Sequence, residues 1–255
     1  MNNIFDVCHK TALITGASSG IGRHAALLLA EHGAHVIIIG RNQQRLHQVA
    51  EQCQNHGVQA LPLVADVKDA AAITDMLEQA KQTFYKVDIL INAAGIGNRL
   101  SSDQLTPEQW DEVFATNTKG TFLVGSRVAQ WMQATQTAGS IINISSSAAF
   151  HVGSNRIAYS ASKLSVESIT RSMASEYVTD QIRVNCLAPG FFETPLTDNF
   201  LKSEQGQREI SKVPMQRAAQ LEELNGVLLL LASQASSYMT GSIINVDGGF
   251  AISRL

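Results

Sequence analysis

Cysteine is scarce: Cys8, Cys53 and Cys186 are odd in number, far apart, and lack metal-ligand spacing. That argues against a cysteine-built metal centre and fits reduced thiols in a cytoplasmic protein; no metal is expected. Basic runs are also missing, and with a net charge of −3 the chain has no electrostatic case for a nucleic acid. No apolar stretch approaches membrane-spanning length, and the first residues do not read as a leader, so a soluble cytoplasmic chain is expected. What the chain does have is 45% hydrophobic and 16% charged residues, with a mean hydropathy of +0.01, enough to bury a substantial core. Its 255 residues suit one large domain, taken as 1–255, rather than two small ones.

The first unit reads strand, glycine loop, helix. KTALI at 10–14 is a short buried strand, TGASSGIG at 15–22 follows at once, and an apolar helix begins beyond it. Gly16, Gly20 and Gly22 lack side chains where a tight turn, a phosphate and helix packing would each exclude one, and the free amides of the helix start favour an anion. The second strand, 35–39, ends in Gly40 and Arg41, where an NAD-binding chain would place an acid for the ribose hydroxyl. A guanidinium there can pair a 2′-phosphate in bidentate fashion, so NADP is expected, with NAD the alternative. Ser19 adds no second basic group. Asp66, closing the strand at 58–64 with Val67, can accept from an adenine amino group or cap the next helix. A fourth strand at 88–91 enters Asn92-Ala93-Ala94-Gly95, small residues against which a flat ligand can lie. The strands are nearly continuous in apolar residues, which marks a parallel sheet covered by helices on both faces: an α/β, doubly wound sheet of the Rossmann type.

Thr106 and Pro107 form a helix start, and Asn117 falls inside the helical stretch that follows, where it either bends the helix or orients water. Strand 141–145 runs out into Ser146, and a helix beyond carries Tyr159 and Lys163 four residues apart on one face. An ammonium about 4 Å from a phenol, at an effective dielectric of ~20, favours phenolate by ~4 kcal/mol, opposed by desolvation. The balance is expected to bring Tyr159 toward neutrality, where a general acid/base works, with Ser146 sharing the substrate oxygen. Taken alone, Tyr-x-x-x-Lys is a frequent accident on helices.

With TGASSGIG at 15–22, NAAG at 92–95, Asn117, Ser146 and Tyr159-Ser-Ala-Ser-Lys163 in this order, the chain resembles the short-chain dehydrogenases/reductases over nearly its whole length. The interval of thirteen between Ser146 and Tyr159 matches the pattern of that family, so the resemblance selects Ser146 over Ser145 and Ser147. The resemblance implies that Tyr159 is the general acid/base, that Ser146 polarises the substrate oxygen, that Lys163 binds nicotinamide ribose and lowers the Tyr159 pKa, and that Asn117 anchors a water relay. It implies cofactor contacts at Gly16, Ser18, Ser19, Gly20, Ile21, Gly22, Arg41, Asp66, Val67, Asn92, Ala93, Gly95, Tyr159, Lys163, Pro189, Gly190, Phe192 and Thr194. It also implies a homotetramer packed through the two long helices and the last strand. Ala93 stands where the family usually has a second asparagine, and Lys86 replaces a usual glycine.

Pro189-Gly190 follows a strand at 182–187, and residues 191–215, polar and poorly periodic, are expected to form a substrate lid. Leu221–Ala232 is expected as one apolar helix, and Ser242–Val246 as the closing strand. Substrate-side candidates are His151, Val152, Arg156, Phe192 and Met215. Relatives that reduce acyl groups on a carrier protein place basic side chains before strand five and on the Tyr-Lys helix; here residues 133–139 and 173–177 carry none, although Arg171 lies nearby. The expected activity is NADP(H)-dependent hydride transfer between nicotinamide and a secondary alcohol or ketone, on a small polar or sugar-like hydroxy compound. The rival is a 3-oxoacyl thioester on carrier protein or coenzyme A. From another class, the rival is a catalytically silent nucleotide-sensing protein.

Overall fold

Apolar residues that alternate between two faces of one sheet organise the chain. A computed structural model describes residues 3–151 and 153–252, so Val152 lies outside the described residues. Strands β1 (Thr11–Thr15), β2 (His35–Gly40), β3 (Ala60–Val64) and β4 (Ile89–Asn92) are joined by helices α1 (Gly20–Glu31), α2 (Gln43–Gln54) and α3 (Ala70–Thr83). Next come α4 (Pro107–Phe114), α5 (Gly120–Ala134), β5 (Ser140–Ile144), α6 (Ile157–Tyr177) and β6 (Arg183–Pro189). The last part holds α7 (Asp198–Leu201), α8 (Glu204–Ile210), α9 (Asn225–Ala232) and β7 (Ile243–Val246). All pairings are parallel, in the order β3-β2-β1-β4-β5-β6-β7.

The strands bury both faces because successive side chains point opposite ways. Ile14, Ile38, Ile91 and Ile142 pack with α1 and α9 residues such as Leu29 and Leu228. Leu13, Ile37, Leu90 and Ile141 pack on the other face with Ile73 of α3, Val128 of α5 and Met173 of α6. Strand order reverses between β1 and β4, and there the carboxyl ends of the strands open a crevice. At the opposite end, Lys86 donates to the buried Asp88 at 2.8 Å, and Asp88 accepts from the Thr11 amide at 3.0 Å. The departure from glycine at 86 thus serves an ion pair remote from the crevice.

Several local expectations are refined. Asp69, not Asp66, caps α3, accepting from the Ala71 and Ala72 amides, while Asp66 accepts from the Lys68 amide at 3.0 Å. Thr106 and Gln109 close a capping box on α4, with Pro107 in its first turn. The helix expected over 221–232 begins as a 3₁₀ turn, Leu221–Leu224, before α9. The segment from 195 to 214 is not structureless: α7 and α8 bury Phe200, Leu201 and Ile210 together.

Candidate active site

The loop from β1 to α1 has a shape that only glycine permits at two points. A Cβ on Gly16, at φ +66°, would stand 2.8 Å from the Ala94 backbone, and one on Gly22 would meet the Gly16 carbonyl oxygen at 2.5 Å. Ser19, the N-cap of α1, makes no side-chain bond to the helix amides, and the first turn holds no acid. The helix start therefore faces the crevice with its positive end free of a capping side chain. Along the rim, Arg41 Nη1 lies 4.0 Å from Asp66 Oδ2, and Lys68 Nζ lies 3.7 Å from the same oxygen. The Arg41 side chain is largely exposed, so an incoming phosphate can compete for it at little cost.

At the inner end, β5 and α6 bring the polar residues together. The buried Ser145 hydroxyl is engaged elsewhere, donating to the Lys163 carbonyl at 3.1 Å and to Glu167 Oε1 at 2.9 Å. Ser146 faces the opening beside Tyr159, its Oγ accepting from the Ala148 amide at 3.2 Å. Lys163 is buried; its Nζ donates to the Ile144 carbonyl at 2.8 Å and stands 5.8 Å from the Tyr159 ring centroid. Asn117 sits in a single π-helical turn, Ala115–Lys119, between α4 and α5. Its side chain accepts from the Ile96 amide at 2.8 Å and donates to the Ile96 carbonyl and Ser162 Oγ, each at 2.9 Å. It thereby pins the strand-four loop to α6.

Electrostatics correct one expectation. Lys163 does not bring the Tyr159 phenol toward neutrality in the free crevice: burial pushes Tyr159 up, against the Ser146 hydrogen bond and the charges of Arg156 and Arg99. Burial likewise pushes Lys163 down to about 8, so its own charge is only partly available at mildly alkaline pH. The guanidiniums, rather than the ammonium, are the cations opposing the rise.

One cleft of ≈ 250 Å³ is lined by Gly16, Ser18, Ser19, Gly20, Ile21, Arg41, Asp66, Val67, Ala93, Gly95, Ser146, Tyr159, Lys163, Pro189, Gly190, Phe192 and Thr194. Two residues of the expected cofactor set stand apart. Gly22 packs on the loop behind, and the Asn92 side chain points into the protein, donating to Asn143 Oδ1 at 2.9 Å. A second cavity of ≈ 280 Å³ shares Ser146, Tyr159, Gly190, Leu196 and Thr197 with the first and adds Arg156 and Arg99. Among the substrate-side candidates, Arg156 lines this second cavity, whereas Phe192 lines the first. His151 instead packs its ring 4.0 Å from that of Phe250, and Met215 is exposed on the surface; neither lines either of these two cavities. Arg99 went unread because a lone arginine in a loop has no periodicity or motif to single it out.

A family model described as "Enoyl-(Acyl carrier protein) reductase" matches residues 16–251. The chain is 37% identical over 243 residues to 3-oxoacyl-[acyl-carrier-protein] reductase FabG of Thermotoga maritima, covering 95% of this chain and 98% of that one. A solved short-chain type dehydrogenase/reductase from Mycobacterium marinum superposes with a TM-score of 0.92 at 37% identity, over 97% of each chain. The chain belongs to the short-chain dehydrogenase/reductase family. Within that family it is also similar to sugar-acid enzymes. Gluconate 5-dehydrogenase of Gluconobacter oxydans is 34% identical over 252 residues, 98% of each chain. A gluconate 5-dehydrogenase from Burkholderia cenocepacia J2315, solved in complex with NADP and tartrate, has a TM-score of 0.94 at 32% identity over 98% of each chain. As a short-chain dehydrogenase/reductase the protein is an oxidoreductase.

Proposed function

We propose that the protein is an NADP(H)-dependent oxidoreductase interconverting a secondary alcohol and a ketone on a small, polar, sugar-like compound. The observation that carries this reading is the joining of Ser146, Tyr159 and Lys163 in one cleft with the glycine loop and Arg41. The residues fit the nucleotide. A Cβ on Gly95 would stand 3.3 Å from Lys163 Nζ and 3.4 Å from Asn117 Oδ1, so the missing side chain leaves the cradle open. The uncapped start of α1 suits a pyrophosphate, and Arg41 with Ser18, next to Gly40, suits a 2′-phosphate. Asp66 and Val67 would flank the adenine, and Phe192 and Thr194 the carboxamide. When bound, NADP(H) supplies or accepts the hydride.

The chain's own residues handle the proton and the oxygen. In reduction, the neutral Tyr159 phenol donates its proton to the carbonyl oxygen; in oxidation, the phenolate takes it back. Ser146 Oγ, beside Tyr159 in the same cleft, holds the same oxygen when substrate is present. Lys163, tied to the Ile144 carbonyl, supports the ribose side of the site, and Asn117 keeps Ile96 and Ser162 in place around it. The Thr194 amide donates to the Thr197 hydroxyl at 3.1 Å; Leu196 and Thr197 border both cavities, Thr194 only the first, and all belong to the segment 191–215 proposed as the lid.

The second cavity has a mixed lining: Ala148, Phe191, Leu196 and Phe200 are apolar, while Asn98, Arg99, Ser147, Arg156, Thr197 and Asn199 offer polar groups that favour a hydroxylated substrate, in keeping with the similarity to gluconate 5-dehydrogenases. A 3-oxoacyl thioester is the second reading, supported by the similarity to FabG. The test is loss or gain of reduced-nicotinamide absorbance across sugar alcohols, sugar acids, ketoses and an acyl-carrier substrate. A sugar-like compound is expected to be turned over best; equal or better efficiency on the acyl carrier would reverse that ranking. Tyr159→Phe should lower kcat by roughly 10²- to 10⁴-fold while nucleotide binding persists. An unchanged rate would instead favour a silent nucleotide sensor. We further propose a cytoplasmic homotetramer. Its support is the exposed Phe122 on α5 and Ile157 and Leu164 on α6, three free thiols, and the lack, among the described residues, of any helix long and apolar enough to cross a membrane.

A further inference from the structure

The second cavity holds two cations and no anion. Arg156 is 8% exposed, and its Nε has no hydrogen-bond partner. Arg99 places its guanidinium over the Phe200 ring, with Cζ 3.3 Å from the centroid, a contact through the face of the group that leaves N–H donors for a ligand. Among the described residues neither arginine forms an ion pair. The two guanidiniums are close enough to repel, and both feel Glu209, but the Oε1 of that carboxylate is held by Lys212 Nζ at 2.9 Å. Arg99 is exposed, but Arg156 is buried beside it without a charged partner, which is costly, and a planar, bidentate anion removes that cost. Arg156 stands three residues before Tyr159 at the start of α6, so both address the same cavity about one helical turn apart.

We infer that the substrate carries a carboxylate, received by Arg156 and Arg99, a few bonds from the carbon whose oxygen is held by Tyr159 and Ser146. The substrate class is then a short polyhydroxy acid or its oxo counterpart. The cavity of ≈ 280 Å³ lies at the small end of ligand sites and suits such a molecule. This inference rests on the oxidoreductase reading above and deepens it by naming the charged group.

The experiment compares D-gluconate and L-tartrate with D-glucitol and L-threitol, which have the same chain lengths with each carboxylate replaced by a hydroxymethyl group. NADP⁺-dependent turnover and calorimetric binding in the presence of NADP⁺ are measured separately for the wild type, Arg156→Gln, Arg99→Gln and Arg156→Lys. The acids should be preferred by the wild type. Each glutamine variant should cut the acid-over-polyol preference by roughly 10- to 100-fold, the loss of one charge-assisted contact, and Arg156→Lys should recover part of it. Melting curves identify a variant that fails to fold, and Arg99→Gln, in a loop, carries the test should Arg156→Gln do so. Polyols bound and turned over as well as acids by the wild type, or equal losses for both series in the glutamine variants, would overturn the inference. Arginine-dependent binding of an acid without turnover would uphold the anion site while refuting the oxidation of these compounds. Absence of both binding and turnover with every acid would overturn the anion site.

Discussion

A phenol is a weak acid at neutral pH, and burying Tyr159 makes it weaker, because the crevice solvates phenolate less well than water does. With the pKa raised, the free protein holds the neutral phenol through the physiological range, the form that donates a proton. Alcohol oxidation needs the phenolate, so kcat/KM for oxidation should climb about tenfold per pH unit from about pH 6 to about pH 9, while that for reduction stays level. A flat oxidation profile over that span would show that the phenol already ionises below it. Arg41 offers the second prediction at this scale. Arg41→Asp should weaken NADPH binding by roughly 10- to 100-fold in a fluorescence titration and leave NADH binding within a few-fold, since only the former loses a charge-assisted contact. Equal losses would remove the 2′-phosphate assignment. That Tyr159 and Lys163 share one helix face was legible from spacing, Ser146 stood out only through the family resemblance, and Arg41 was singled out by the missing acid. Arg99 was not, because its meaning comes from Phe200 and Arg156, which are distant in sequence.

Helix α4, the π turn and α5 form one continuous element with a deliberate irregularity. The wider π turn releases the regular ladder at Ala115–Lys119 and turns Asn117 inward, where its amide satisfies the Ile96 backbone in both directions. A mid-helix asparagine announced that something there was unusual, and its partners, on the strand-four loop and on α6, appear only in the folded chain. Asn117→Ala leaves the Ile96 amide and carbonyl and Ser162 without these partners, a cost of about 1–3 kcal/mol for buried polar groups. Urea denaturation should register that loss, and kcat should fall with it because the loop beside Lys163 is no longer held. A variant as stable and active as the wild type would deny Asn117 this positioning role. The expected helix over 221–232 was right in extent and wrong in kind for its first turn. There the Gln220 and Glu223 capping box tightens the chain before α9 starts.

The whole molecule is a two-faced sheet, and both its faces were readable because near-continuous apolar strands require cover on each side. Its outer surface keeps apolar side chains on α5 and α6, with Phe122 and Leu164 about half exposed. If these are the assembly faces, Leu164→Glu with Phe122→Asp should shift the mass measured by light scattering from tetramer to a smaller species. A monomer in the wild type would refute the assembly. By itself, the sequence determined the alternation of strands and helices, the glycine loop and the spacing of Ser146, Tyr159 and Lys163, since periodicity, backbone freedom and helical pitch act between near neighbours. Only the tertiary structure decided which side chains share a cavity and in which direction Tyr159 shifts. Both depend on what the rest of the chain brings against the site, and desolvation and charge act through space.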